Sequence, residues 1–185
     1  MTRSAFLIIS FITGTMVLSV SPLRTQSPQG SGEARANAVI RGFTDPAIEG
    51  SVSFVQKDDM SVRITGEIRG LTAGQTYAIH VHEWGDCGDP KASGGHFDPF
   101  GSEHHGNPDG PIGTHHSGDL PNIQADQMGI AQLSFSTKGL TVLPSSYSVL
   151  GHAVVLHEHA DDYSSQPAGN AGSRVACGVI GLVRD

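Results

Sequence analysis

Residues 85–121 constrain this chain more than any other part of it. They hold nine glycines and five prolines in 37 residues and follow neither a strand nor a helix period. An irregular segment of that length is uncommon inside a compact domain unless it is functional. With few large apolar side chains, it needs bonds other than hydrophobic contacts to order it. It contains Cys87 and five histidines, His96, His104, His105, His115 and His116, so a disulfide and metal coordination are the candidates.

The flanking sequence has the pattern of short strands. Apolar and polar residues alternate over 38–40, 51–56, 62–68 (interrupted at Gly66), 77–83, 130–137, 152–158 and 174–183, with turn residues such as Asp58-Asp59 between them. No segment sustains a helical period. Seven or eight short strands predict an all-β, antiparallel barrel or sandwich of about eight strands, with 85–121 as a long metal-binding loop.

The N-terminus reads as an export signal. Arg3 precedes an uncharged, apolar run over 5–20, too short for a comfortable membrane span, and Pro22 follows. A signal peptide is expected over 1–21, cut somewhere within 19–27, then a flexible leader over 22–37 and the folded domain over 38–185. An N-terminal core helix or an uncleaved anchor is the competing reading. Export predicts a periplasmic or extracellular location with no membrane association after cleavage. It also favours oxidation of the two cysteines, Cys87 and Cys177, over two buried free thiols. That bond would close a loop of about ninety residues, worth on the order of 4–5 kcal/mol on a chain-entropy model. The net charge of −7 argues against a nucleic-acid partner.

All ten histidines lie between positions 80 and 159. A solvated histidine-rich tract is the bland alternative, but these residues fall in separate structural contexts. His80 and His82 alternate on one strand, so both rings share a face opposite Tyr77, Ile79 and Val81. His157 lies on another strand. Three imidazoles on a rigid scaffold suit copper. Loop histidines together with Asp119 would make a closed zinc site of three nitrogens and one oxygen.

Several ordered motifs are similar to one family. His80-Val81-His82-Glu83-Trp84-Gly85-Asp86-Cys87 resembles the first signature of copper/zinc superoxide dismutases, and Gly169-Asn170-Ala171-Gly172-Ser173-Arg174-Val175-Ala176-Cys177-Gly178 the second. Gly94-Gly95-His96-Phe97-Asp98-Pro99, the run 116–122 and His157-Glu158-His159-Ala160-Asp161-Asp162 resemble the metal loop and the strand end carrying the last copper ligand. The resemblance covers about 38 to the C-terminus. It implies a Greek-key antiparallel β-barrel with one copper and one zinc ion per chain. Copper would be bound by His80, His82, His96 and His157, and zinc by His96, His104, His116 and Asp119, with His96 bridging the two. Asp161 would accept hydrogen bonds from His80 and His104. Cys87 and Cys177 would form the disulfide, and Arg174 would stand beside the open copper position. His105, His115, His152 and His159 are left over. The choice of His104 over His105 and of His116 over His115 rests on spacing from His96 and Asp119.

The activity implied is dismutation of superoxide to molecular oxygen and hydrogen peroxide by redox cycling of copper, protecting against oxidative damage. In that cycle His96 carries a proton and Arg174 guides the anion. The stretch between Asp162 and Gly169 is shorter than in familiar relatives and lacks their charged residues, and Ala168 stands where a threonine is common. A homodimer is expected through Trp84, Leu150, Gly151, Val179 and Ile180, with core packing as the alternative role for these residues. Two rival functions are a secreted copper- and zinc-binding protein that buffers metal without turnover, and a structural β-domain whose histidines bind metal adventitiously.

Overall fold

The computed structural model describes residues 33–102 and 104–184; the expected signal peptide, and the expected leader up to residue 32, lie outside them. Nine strands follow in order: β1 (Arg35–Gly42), β2 (Glu49–Gln56), β3 (Val62–Arg69), β4 (Thr76–Tyr77), β5 (Ile79–His82), β6 (Ile123–Gln124), β7 (Ala131–Thr137), β8 (Ala153–His157) and β9 (Arg174–Leu182). No helix occurs among the described residues.

Seven strands form one antiparallel sheet in the order β5-β8-β9-β1-β2-β3-β7, and β4 pairs with β6. The neighbours β5·β8, β9·β1 and β3·β7 are far apart in sequence, as Greek-key connections require. Only Ala78 separates β4 from β5, and a bridge between Ala125 and Ala131 joins β6 to β7. The sheet thus curls into the barrel expected from the strand pattern. Its interior is filled by alternate side chains such as Ile40, Phe54, Ile64, Ile79 and Leu156, all fully buried.

Three details differ from the sequence pattern. Strand β1 begins at Arg35, so 35–37 are paired strand rather than leader; Ala36 is buried, but so small a side chain gives a weak hydrophobic signal. Strand β3 continues through Gly66, whose missing β-carbon would otherwise collide with the Ser51 carbonyl. The expected strand over 77–83 is split at Ala78, whose N–H donates to the His159 carbonyl and whose carbonyl accepts from His157 N–H.

The long loop lies on β5. Val81 N–H donates to Gly118 O (2.9 Å), Phe97 N–H to Val81 O (2.8 Å), and Gly118 N–H to Phe97 O (2.8 Å). A β-carbon at 118 would run into the Val81 carbonyl, so this close approach requires glycine. The loop also buries more apolar surface than its composition promised, because Phe97 and Leu120 both join the barrel core. A Cys87–Cys177 disulfide ties its start to β9.

Candidate metal centre

Tyr77, at the end of β4, and strand β5 divide their side chains as a strand period dictates. Tyr77, Ile79 and Val81 enter the core, while His80 and His82 take the opposite face, where the loop covers them completely. His157, at the end of β8, and His96, bridged to His82 across the loop, complete a group of four. Their nitrogens lie within 4.8 Å of one another. A second group of the same tightness contains His96, His105, His116 and Asp119.

Hydrogen bonds select which nitrogen each ring leaves free. His80 Nε2–H donates to Asp161 Oδ2 at 2.8 Å, so Nδ1 is available. His82 Nδ1–H donates to the Gly94 carbonyl at 3.1 Å, so Nε2 is available, 3.3 Å from His157 Nε2. In the second group, Nδ1 of His96, His105 and His116 converge on Asp119 Oδ1 at 2.7, 3.0 and 3.4 Å. His80 Nδ1, His96 Nε2, His116 Nδ1 and His157 Nδ1 are buried with no hydrogen-bond partner. Buried polar atoms without partners are costly, and His80 Nδ1, His96 Nε2 and His116 Nδ1, on rings of the two groups, fit bound cations. His96 is the one residue in both groups: Nδ1 is held at Asp119 and Nε2 is left for the other side.

Electrostatics separate the two groups. Burial pushes the His80, His82, His96 and His157 rings toward neutrality, His96 down to about 4 and His157 to about 3. Neutral rings are the form that ligates metal at neutral pH. His105 behaves oppositely. Burial opposes its charge, but hydrogen bonds to Asp119 and Asp161 outweigh that and raise it to about 9. A cation entering the second group at pH 7 therefore displaces the His105 Nδ1 proton. Burial likewise works against the Asp119 and Asp161 carboxylates, yet hydrogen bonds from His105 and its neighbours hold both far below the usual range.

The ligand set expected from sequence is corrected at one position. His104 is exposed, whereas His105 is buried and donates to both Asp119 (3.0 Å) and Asp161 (2.8 Å). The other ring on Asp161 is thus His105, not His104. Counting eight positions from His96 lands on His104, one residue short of the buried ring. The usable signal is the glycine that follows: Gly106 N–H donates to Asp119 Oδ2 at 3.0 Å, an approach that the bare residue after His105 makes easy. His116 rather than His115 joins the group, as expected; His115 instead donates from Nδ1 to the His116 carbonyl.

Asp161 is itself clamped. Its N–H donates to Asn122 Oδ1 and its carbonyl accepts from Asn122 Nδ2, both at 2.9 Å. Tyr163 N–H adds a third donor to its carboxylate. Neither Asn122 nor Tyr163 stood out in the sequence, because each acts through main-chain contacts.

Arg174 is half-buried at the start of β9. It donates to Pro90 O (2.9 Å), Ser93 Oγ (3.2 Å) and Gly94 O (2.6 Å). Gly94 O also accepts from His82, which sets the guanidinium beside the first group. A depression of about 360 Å³ lies between Arg174 and His157, with Gln166, Ala168, Asn170 and Gly172 in its walls.

The comparisons agree with this geometry. Residues 48–180 match the profile of the copper/zinc superoxide dismutase family. The chain is 40% identical over 156 residues to a Cu-Zn superoxide dismutase of Cryptococcus neoformans var. grubii, covering 80% of this chain and 97% of that one. It is 40% identical over 164 residues to an extracellular Cu-Zn superoxide dismutase of Onchocerca volvulus, covering 83% and 78%. The crystal structure of the clock protein EA4 superposes with a TM-score of 0.72 at 38% identity, covering 82% of this chain and 96% of that one. A match over most of the barrel and its loop, at this identity, means that the chain belongs to the copper/zinc superoxide dismutase family.

Proposed function

We infer that the protein is a superoxide dismutase, exported from the cytoplasm to act in the periplasm or outside the cell. The observation that carries the activity is His96, whose two ring nitrogens serve two adjacent groups of buried ligands. On this reading His80, His82, His96 and His157 would hold copper, and His96, His105, His116 and Asp119 would hold zinc. Copper would supply a one-electron couple suited to both oxidising and reducing superoxide, and zinc would supply a fixed positive charge. Two superoxide anions and two protons give one O2 and one H2O2.

The chain's own residues do the rest. Asp119 fixes the His96 ring through Nδ1, so Nε2 is the atom that can carry a proton to the reduced substrate. Asp161 orients His80 and His105 together. Arg174 supplies a permanent positive charge at the depression beside His157 and draws the anion inward. Its hydrogen bonds to loop carbonyls make it a brace as well as a guide, and the brace holds the charge in place.

Arg174→Leu will slow superoxide consumption about tenfold or more and flatten its dependence on ionic strength, a size typical of electrostatic steering. Arg174→Lys will keep most of the salt dependence. Stopped-flow decay of superoxide at low ionic strength reads both; a leucine variant as fast as the parent defeats the role given to Arg174. The uncharged segment 5–20, the disulfide and the extracellular relative support export.

The reading includes a homodimer. Trp84 and Val179 are 61% and 45% exposed, Gly151 is exposed beside them, and Leu150 is half-buried. Ile180, expected in the same surface, is instead 1% exposed in the barrel core and takes no part. Exposed apolar residues of this kind suit self-association. Sedimentation at micromolar concentration will give twice the chain mass, and Trp84→Glu will give the monomer; a monomeric parent refutes the dimer.

A further inference from the structure

The short segment between Asp162 and Gly169 grips the second ligand group through one side chain. Gln166 Oε1 accepts from the His105 N–H at 2.9 Å, and Gln166 Nε2 donates to the His105 carbonyl at 2.8 Å. One amide thereby satisfies both main-chain polar groups of a residue 61 positions away. The other rings of the group have different anchors. His96 is bridged to His82 of β5, and the His116 N–H donates to Asp119 Oδ2 at 3.1 Å. His105 lies in no strand, and its ring is held at both nitrogens by Asp119 and Asp161. The amide fixes what those ring contacts leave free, the position of the main chain from which the ring projects. At Gly169, three residues on, a β-carbon would collide with Asp161 Oδ1 and crowd His105 Nε2, so this segment is packed directly against the ring.

We propose that Gln166 is a positioning residue for zinc: its amide sets where His105 stands and thereby the zinc affinity of the second group. This rests on the zinc reading given above. Gln166 is exposed and its side chain fills no core space, so replacing it leaves the barrel intact. Gln166→Met keeps the length and removes both bonds. Gln166→Glu keeps the acceptor for His105 N–H but turns a second oxygen toward the His105 carbonyl.

Metal-free parent and variants are titrated with zinc, and separately with copper, against a competing chelator. Cobalt(II) in the second group supplies a visible spectrum that reports tetrahedral geometry. The zinc Kd is expected to rise about tenfold or more in both variants, the size found when contacts behind a metal ligand are removed. The cobalt bands should shift and weaken, while the copper Kd and the melting midpoint of the metal-free protein stay unchanged. A zinc Kd within twofold of the parent overturns the proposal. So does an equal loss at both metals accompanied by a lower metal-free midpoint, which would make Gln166 a loop fastener only. A parent that takes up no zinc would instead overturn the zinc reading itself.

Discussion

Asp161→Ala will weaken copper and zinc binding together. The carboxylate accepts from His80 Nε2 at Oδ2 and from His105 Nε2 at Oδ1, both at 2.8 Å, and is fully enclosed. Without it, each ring loses the partner that fixes both its orientation and the nitrogen it offers. A loss of about 10–100-fold in affinity is expected at each group. Asp161→Asn will do less damage, since the amide oxygen still accepts from one ring while its NH2 opposes the other. Chelator competition with each metal in turn measures the effect. A variant that loses affinity for zinc or copper alone would contradict a shared acceptor.

The second large effect is on stability. The Cys87–Cys177 bond spans 90 positions of sequence. Cys177→Ser, or reduction of the bond, should cost about 4–5 kcal/mol on the chain-entropy model, which for a chain of this size lowers the thermal midpoint by roughly 10–20 °C. The loss reaches the site as well, because Pro90, Ser93 and Gly94, which hold Arg174, follow Cys87 directly in the loop. Melting with and without reductant, with turnover followed at temperatures below the transition, will find activity falling before the barrel unfolds. A midpoint that does not respond to reductant would mean that the metals alone order the loop.

How much of this was legible in the sequence depended on whether a residue acts through a regular pattern. The alternation of His80 and His82 against Ile79 and Val81 set the two faces of β5; the loop's burial of the histidine face is not part of that pattern. The cysteine pair was legible from the count of two and the expected export, and Asp119 from the motif at 116–122. His105 was not, because counting along an irregular loop has no period to correct an inserted residue. It took the loop's three-dimensional course to bring His105 rather than His104 between two carboxylates. Ile180 was misplaced for a related reason. Successive residues of β9 face opposite sides, and sequence alone did not say that Val179 faces out and Ile180 in. The two-residue strands β4 and β6 are too short to show any alternation. Asn122 and Gln166 act on the main chains of distant residues, which leaves no trace in local sequence.

The measurement that bears most directly on the two-group site is a copper titration of zinc-loaded protein, with superoxide decay followed by stopped flow at each addition. The expected trace rises in proportion to copper and stops at one copper per chain, with one zinc retained throughout. A chain that takes up one copper and one zinc yet leaves superoxide to decay at its spontaneous rate would contradict catalysis and favour a protein that only stores the metals.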